Sequence, residues 1–177
     1  MGYEAATFQE IATRADLTRP AINHYYPSKQ ALYQHVITET NGVVIATGIR
    51  EAGNEHSFAG RLEAFVRAAV QPAEFDRSAA AFLVTSVLDA QRNPELKGDA
   101  QSSLQHTREF AVSAVRDGIA NGELRADLDV ESAAEMLVAT LWGLGFYAGF
   151  VGDPERLIAT TKQFIGLLEG TGWKPAG

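Results

Sequence analysis

Arg19, Asn23 and His24 are spaced so that a helix carries them on one side, with Pro20 beside them. Two of these side chains suit the edges of base pairs. An arginine can fork onto guanine, and an asparagine onto adenine, in a major groove. Thr18 can cap a helix starting there, and Pro20 is tolerated in its first turn. Tyr25 and Lys29, further along, are placed to reach phosphates, which fix register without reading sequence. Thr18, Arg19, Pro20, Asn23, His24, Tyr25 and Lys29 are therefore the candidate nucleic-acid contacts.

Catalytic and metal chemistry find less support. The chain has no cysteine, which removes thiolate ligands and disulfides and fits a reducing cytoplasm. Its four histidines are scattered, and no Glu-x-x-His pair occurs. No serine or threonine sits in a nucleophile elbow, and Gly143-Leu144-Gly145 lies inside an apolar run rather than a phosphate loop. Neither an enzyme, a metal site nor a cofactor is expected.

The elements that must position the first group are helical. Thr7 followed by Glu10 has capping-box spacing and opens a short helix to about Ala15. Asp16-Leu17-Thr18 breaks it, a second short helix follows, and Pro27-Ser28 ends that one and caps the next. A helix, a three-residue break and a second helix make a helix-turn-helix, whose second member fits a major groove. Ile11, Ala12 and Ala15 give the first helix a thin apolar face, and Ile22 and Tyr26 form the inner face of the second.

Leu32, Val36, Ile37 and Val44 mark the inner stripe of a long helix reaching about Ala52. Further helices are expected over about Ser57 to Val70, Ser78 to Gln91 and Pro94 to Asn121-Gly122, a helix-ending pair. Asp127 or Asp129 opens another through Val151, and Pro154 opens the last, to about Glu169, ahead of a frayed Gly-Trp-Lys-Pro-Ala-Gly tail. The fold class is all-α: a helix-turn-helix head, residues 1–35, joined to a larger helical-bundle domain, residues 36–177.

With 46% apolar residues the chain can fill a core, so disorder is not expected. Its net charge of −7 looks wrong for binding an acidic polymer, but its distribution is uneven. Within residues 1–35, Arg14, Arg19 and Lys29 balance Glu4, Glu10 and Asp16, so all the acidic excess lies in the body. Met1-Gly2-Tyr3-Glu4 has no signal-peptide character. The uncharged stretch from Met136 to Gly152 is short for a membrane span and holds Gly143, Gly145 and Gly149 within it, so a buried helix is expected there.

The ordered set Ile11-Ala12, Ala15, Leu17-Thr18, Tyr25-Tyr26, Pro27-Ser28-Lys29 and Leu32 resembles the DNA-binding signature of the tetracycline-repressor family, with Gly2-Tyr3 similar to the pair that precedes it. The match covers roughly the first fifth of the chain. Asp16 stands where the family usually has Gly, and Asn23 where it often has a phosphate-binding Tyr. The family's first helix does not precede Gly2-Tyr3 in this sequence.

The resemblance implies a DNA-binding head, an effector cavity in the body, and a homodimer through the last two long helices. It also implies a near-palindromic double-stranded operator and a small apolar effector. Phe65, Phe82, Phe110, Trp142, Phe146 and Tyr147 are aromatic candidates for the cavity wall, although a core needs such residues anyway. His106, Thr140 and Tyr147 are the candidates for orienting a guest. A ligand-responsive repressor is the reading favoured here. The alternative is a helical sensor or dimerising protein that has lost DNA binding.

Overall fold

The computed structural model describes residues 3–70, 77–151 and 153–170. Gly2 and the Gly-Trp-Lys-Pro-Ala-Gly tail lie outside the described residues. Those that are described form helices and short connections, with no strand among them.

The first helix, α1 (Phe8–Arg14), starts at the expected capping box. The Thr7 hydroxyl oxygen accepts from the Glu10 N–H, and the Glu10 carboxylate accepts from the Thr7 N–H. It ends where Asp16 turns left-handed at φ 54°, which returns the Leu17 N–H to the Ala12 carbonyl at 2.9 Å. Thr18 then caps α2 (Arg19–Tyr25) through the Ala21 N–H, and Ser28 caps α3 (Lys29–Asn41) through the Ala31 N–H. Ala12 and Ile22 are buried between α1 and α2. Ala15 is not: α1 stops at Arg14, so Ala15 falls in the cap and is exposed.

The helix α3 does not stop at the head. It runs through a π-helical turn, Gly42–Ala46, into α4 (Thr47–Ala52), and the expected boundary at residues 35/36 falls inside it. Ile37, rather than Val36, points inward on this rod. One step around a helix is about 100°, so burying Ile37 to 1% leaves Val36 on the outside.

The body comprises α5 (Phe58–Val70), α6 (Arg77–Arg92), a 3₁₀ turn at Pro94–Leu96, α7 (Lys97–Ala120), α8 (Val130–Phe146) and α9 (Pro154–Gly170). Asn121-Gly122 ends α7 as expected: Gly122 is left-handed at φ 74°, and the Glu123 N–H reaches the Gly118 carbonyl at 2.8 Å. Asp129 caps α8 through the Ser132 N–H, an arrangement that holds its carboxyl below its ordinary pKa. A continuous core joins Phe58, Leu62, Phe65, Leu83, Val115, Leu137, Leu141 and Leu168.

The stretch Val130–Val151 is long and apolar enough to cross a membrane by length and composition, but one face of α8 is used inside the bundle. Ala133, Ala134, Leu137, Val138, Leu141 and Leu144 are buried there. After Phe146 the helix enters a second π-helical turn, Tyr147–Val151, which packs closely on α6. A Cβ on Gly149 would stand 2.7 Å from both N and Cα of Ala81, atoms of backbone that cannot swing aside. Gly149→Val should therefore destabilise the fold by about 1–3 kcal/mol, the usual cost of overpacking. Urea unfolding checks this, and an unchanged midpoint would show that α6 and this turn are not so tightly fitted.

Candidate nucleic-acid interface and ligand cavity

In α2 the apolar and polar sides separate cleanly. Ile22 is buried and Tyr26, the residue after the helix, is half-buried against His35, with ring centroids 5.5 Å apart. Thr18, Arg19, Pro20, Asn23, His24 and Tyr25 are all exposed, and Tyr25 keeps 74% of its surface. The His24 and Tyr25 rings meet edge to face at 5.2 Å. Neither Arg14 nor Arg19 has an ion-pair or hydrogen-bond partner among the described residues. The ion pairs of those residues belong to the body, such as Arg61–Asp117 and Arg108 with Glu131 and Glu135.

Lys29 differs from the rest of its set. Its ammonium donates to the Tyr3 carbonyl at 2.9 Å and lies 4.3 Å from the centre of the Tyr3 ring, leaving it half-buried. Sequence reasoning placed it toward phosphates, whereas here it holds the segment before α1 against the head. No local signal links Lys29 to Tyr3, 26 residues earlier.

Tyr3 also joins the head to the body. Its N–H donates to Asp89 Oδ2 on α6 at 3.0 Å, and the Tyr33 hydroxyl donates to the same oxygen at 2.9 Å. Tyr33 meets Tyr3 edge to face at 4.9 Å and Phe82 at 5.2 Å. Burial, then the bond to Asp89, push the Tyr33 phenol well above its ordinary pKa. Asp89 was not singled out from the sequence.

A cavity of about 70 Å³ lies deeper in the body. Its wall draws on α5 (Phe65, Val66), α6 (Ala80, Leu83, Val84), α7 (Thr107) and α8 (Leu141, Trp142, Leu144, Gly145). Both π-helical turns contribute: Val44 and Ile45 come from the first, Ala148 from the second. Such turns are frequent at functional sites, because the extra residue opens a helix locally.

Among the sequence candidates, Phe65 and Trp142 line this cavity. Phe110 stacks on Phe65 from behind, centroids 4.6 Å apart and planes 12° apart, without lining it. Phe82 packs on Tyr33 instead. His106 is exposed and does not line the cavity, whereas Thr107, the next residue, does. The Thr140 hydroxyl donates to the Met136 carbonyl within its own helix, and Tyr147 is half-buried against the core. Phe146 is 50% exposed and stacks on Phe150 at 5.1 Å. Thr107 was missed. Its signal was weak: a threonine one place from the histidine that attracted notice. Among the described residues no cluster of His, Asp or Glu suits a metal ion.

Comparison with known proteins agrees with this geometry. Residues 1–36 match the family described as bacterial regulatory proteins, tetR family, and residues 58–168 match the BetI-type transcriptional repressor C-terminal family. Among curated proteins no sequence matches. Solved structures with the same fold include FadR from Bacillus subtilis in complex with stearoyl-CoA, at TM-score 0.78 and 21% identity over 96% of this chain and 90% of that one. A transcriptional regulator from Saccharomonospora viridis in complex with choline gives 0.76 and 18% over 93% and 87%. The ketosteroid regulator KstR2 of Mycobacterium tuberculosis gives 0.74 and 18% over 98% and 87%. With a helix-turn-helix head and a matched C-terminal region spanning most of the body, the chain belongs to the TetR family of bacterial transcriptional regulators.

Proposed function

We propose that this chain is a ligand-responsive transcriptional repressor acting in the cytoplasm. It binds a near-palindromic operator as a homodimer and is released by a small apolar effector. The observation that carries this is the two-sided character of α2: Ile22 anchors it, while Arg19, Asn23, His24 and Tyr25 stand outward together. Residues 1–35 form the DNA-binding head in this reading, and residues 36–177 bind effector and partner. Phe65 and Trp142 contact the effector from the cavity wall.

The outer faces of α8 and α9 support the dimer. Met136 and Phe146 on α8, Phe150 and Val151 on the π-helical turn after it, and Ile158 and Leu167 on α9 are exposed, apolar side chains of the kind that mark an interaction surface. Two-fold pairing on these helices would cover it and set two copies of α2 about one DNA turn apart. Phe150→Glu should weaken self-association at least about 30-fold, the effect of losing one hot-spot aromatic and burying a charge. Sedimentation equilibrium reads this directly, and an unchanged dimer constant would place the interface elsewhere.

Selection from random duplex DNA at a fixed salt concentration tests the whole reading. Enrichment of a palindrome supports it. No enrichment would favour a helical sensor without DNA binding.

A further inference from the structure

Among the described residues the cavity wall carries no Asp, Glu, Lys, Arg or His. A charged guest would leave its water without gaining a counter-ion, a cost that normally excludes it from such a site. Its side-chain hydroxyl belongs to Thr107, which is 2% exposed. That hydroxyl already donates to the Ser103 carbonyl at 2.9 Å, one helical turn back. A threonine has one donor and two acceptor positions, so what remains at this hydroxyl for a guest is acceptance only.

The aromatic residues do not replace the missing charge. One face of Phe65 is taken by Phe110, so the cavity does not close an aromatic box around a cation in the way cation–π recognition uses.

We propose that the cavity selects uncharged hydrocarbon molecules bearing one hydrogen-bond donor, such as a primary alcohol, with that donor on Thr107 Oγ1. It discriminates against ammonium and carboxylate ends. The proposal rests on the effector reading above and narrows it to one chemical class. It also separates this cavity from that of a choline-binding relative.

The test uses the full chain and three matched series of four to eight carbons: primary alcohols, primary ammonium ions and carboxylates, with choline added. Binding is measured by calorimetry and by chemical-shift changes of the Trp142 indole. The expected result is saturable binding of at least one alcohol, tighter by tenfold or more than the ammonium and carboxylate of equal length. Thr107→Val, which keeps the shape, should reduce alcohol affinity about fivefold, as one neutral hydrogen bond would. Thr107→Ser should retain it.

Tighter binding of choline or of the ammonium series would overturn the proposal, as would an alcohol affinity indifferent to Thr107→Val in a folded variant. Absence of any alcohol binding up to its solubility would do the same. Should Thr107→Val fail to fold, the ranking of the three series on the unaltered chain decides. Because binding is read without DNA, the two ideas fail separately. An alcohol that binds but does not release the operator removes the effector role and leaves the selectivity standing.

Discussion

Asp89→Ala should cost about 2–4 kcal/mol of stability, a large loss for a single carboxylate that touches no ligand. Asp89 is 7% exposed, and one of its oxygens receives both the Tyr3 N–H and the Tyr33 hydroxyl. Truncation leaves the backbone donor of Tyr3, itself buried, without an acceptor and loosens a half-buried phenol. Unmet buried donors cost about 1–3 kcal/mol each, and bonds to a charged acceptor contribute more than neutral ones. Asp89→Asn keeps an acceptor oxygen in place and should lose roughly half as much, separating the hydrogen bonds from the charge. A urea-unfolding loss below about 1 kcal/mol for Asp89→Ala would mean that Tyr3 and Tyr33 find other partners.

The same junction predicts an alkaline dependence. Burial and the bond to Asp89 raise the Tyr33 phenol above 10.0, its value in an unfolded chain. A raised folded-state value means the unfolded chain gives up the proton first. The contribution is therefore complete below pH 10 and drains away as the pH climbs toward the folded-state value. Tyr33→Phe should flatten that part of the stability profile while lowering its neutral plateau.

The junction also ties the head to the cavity. Leu83 and Val84 line the cavity, and Asp89 follows on the same helix at a rise of about 1.5 Å per residue. Displacement of α6 by a guest would reach Tyr3 and Tyr33 within two turns. On the other side, α3 leads from the head through Val44 and Ile45 of the first π-helical turn into the same cavity wall.

What the sequence disclosed about this arrangement follows from the range of the forces involved. The Thr7–Glu10 box, the left-handed Asp16, the Asn121-Gly122 stop and the Asp129 cap are made by neighbours within a turn, and each is visible in the string. The outward set on α2 was legible for the same reason: helical spacing alone separates Arg19 and Asn23 from Ile22. The tie of Lys29 to Tyr3 was not legible because that carbonyl is 26 residues away, and Asp89 went unnoticed because its partners lie 56 and 86 residues off. The cavity depends on four helices, α5 to α8, meeting, and on two π-helical turns that no local pattern announces. Aromatic content therefore pointed to Phe65 and Trp142 but equally to Phe146 and Phe82, which face elsewhere.

Arg19→Ala should reduce affinity for the selected operator by about 5- to 150-fold, the value of one bidentate base pairing, while hardly changing affinity for random duplex. Arg19 opens α2 as its first helical residue, behind the Thr18 cap. A cation at a helix N-terminus opposes the helix dipole, at a cost of about 0.3–1 kcal/mol on a surface. No acidic residue in the first turn of α2 offsets it, and the side chain has no partner among the described residues. An arginine at that position thus weakens its own helix slightly, which binding outside the chain would repay. The variant should accordingly be as stable as the parent, or slightly more so, and yet lose the operator. Lys29→Ala should do the reverse, lowering stability by about 1–2 kcal/mol through the lost Tyr3 contact and leaving the salt dependence of DNA binding nearly unchanged. Electrophoretic shifts on operator and scrambled duplex, over a range of salt, separate the two variants. Equal losses on both duplexes for Arg19→Ala would reduce that residue to a phosphate contact and move base reading to Asn23 and His24.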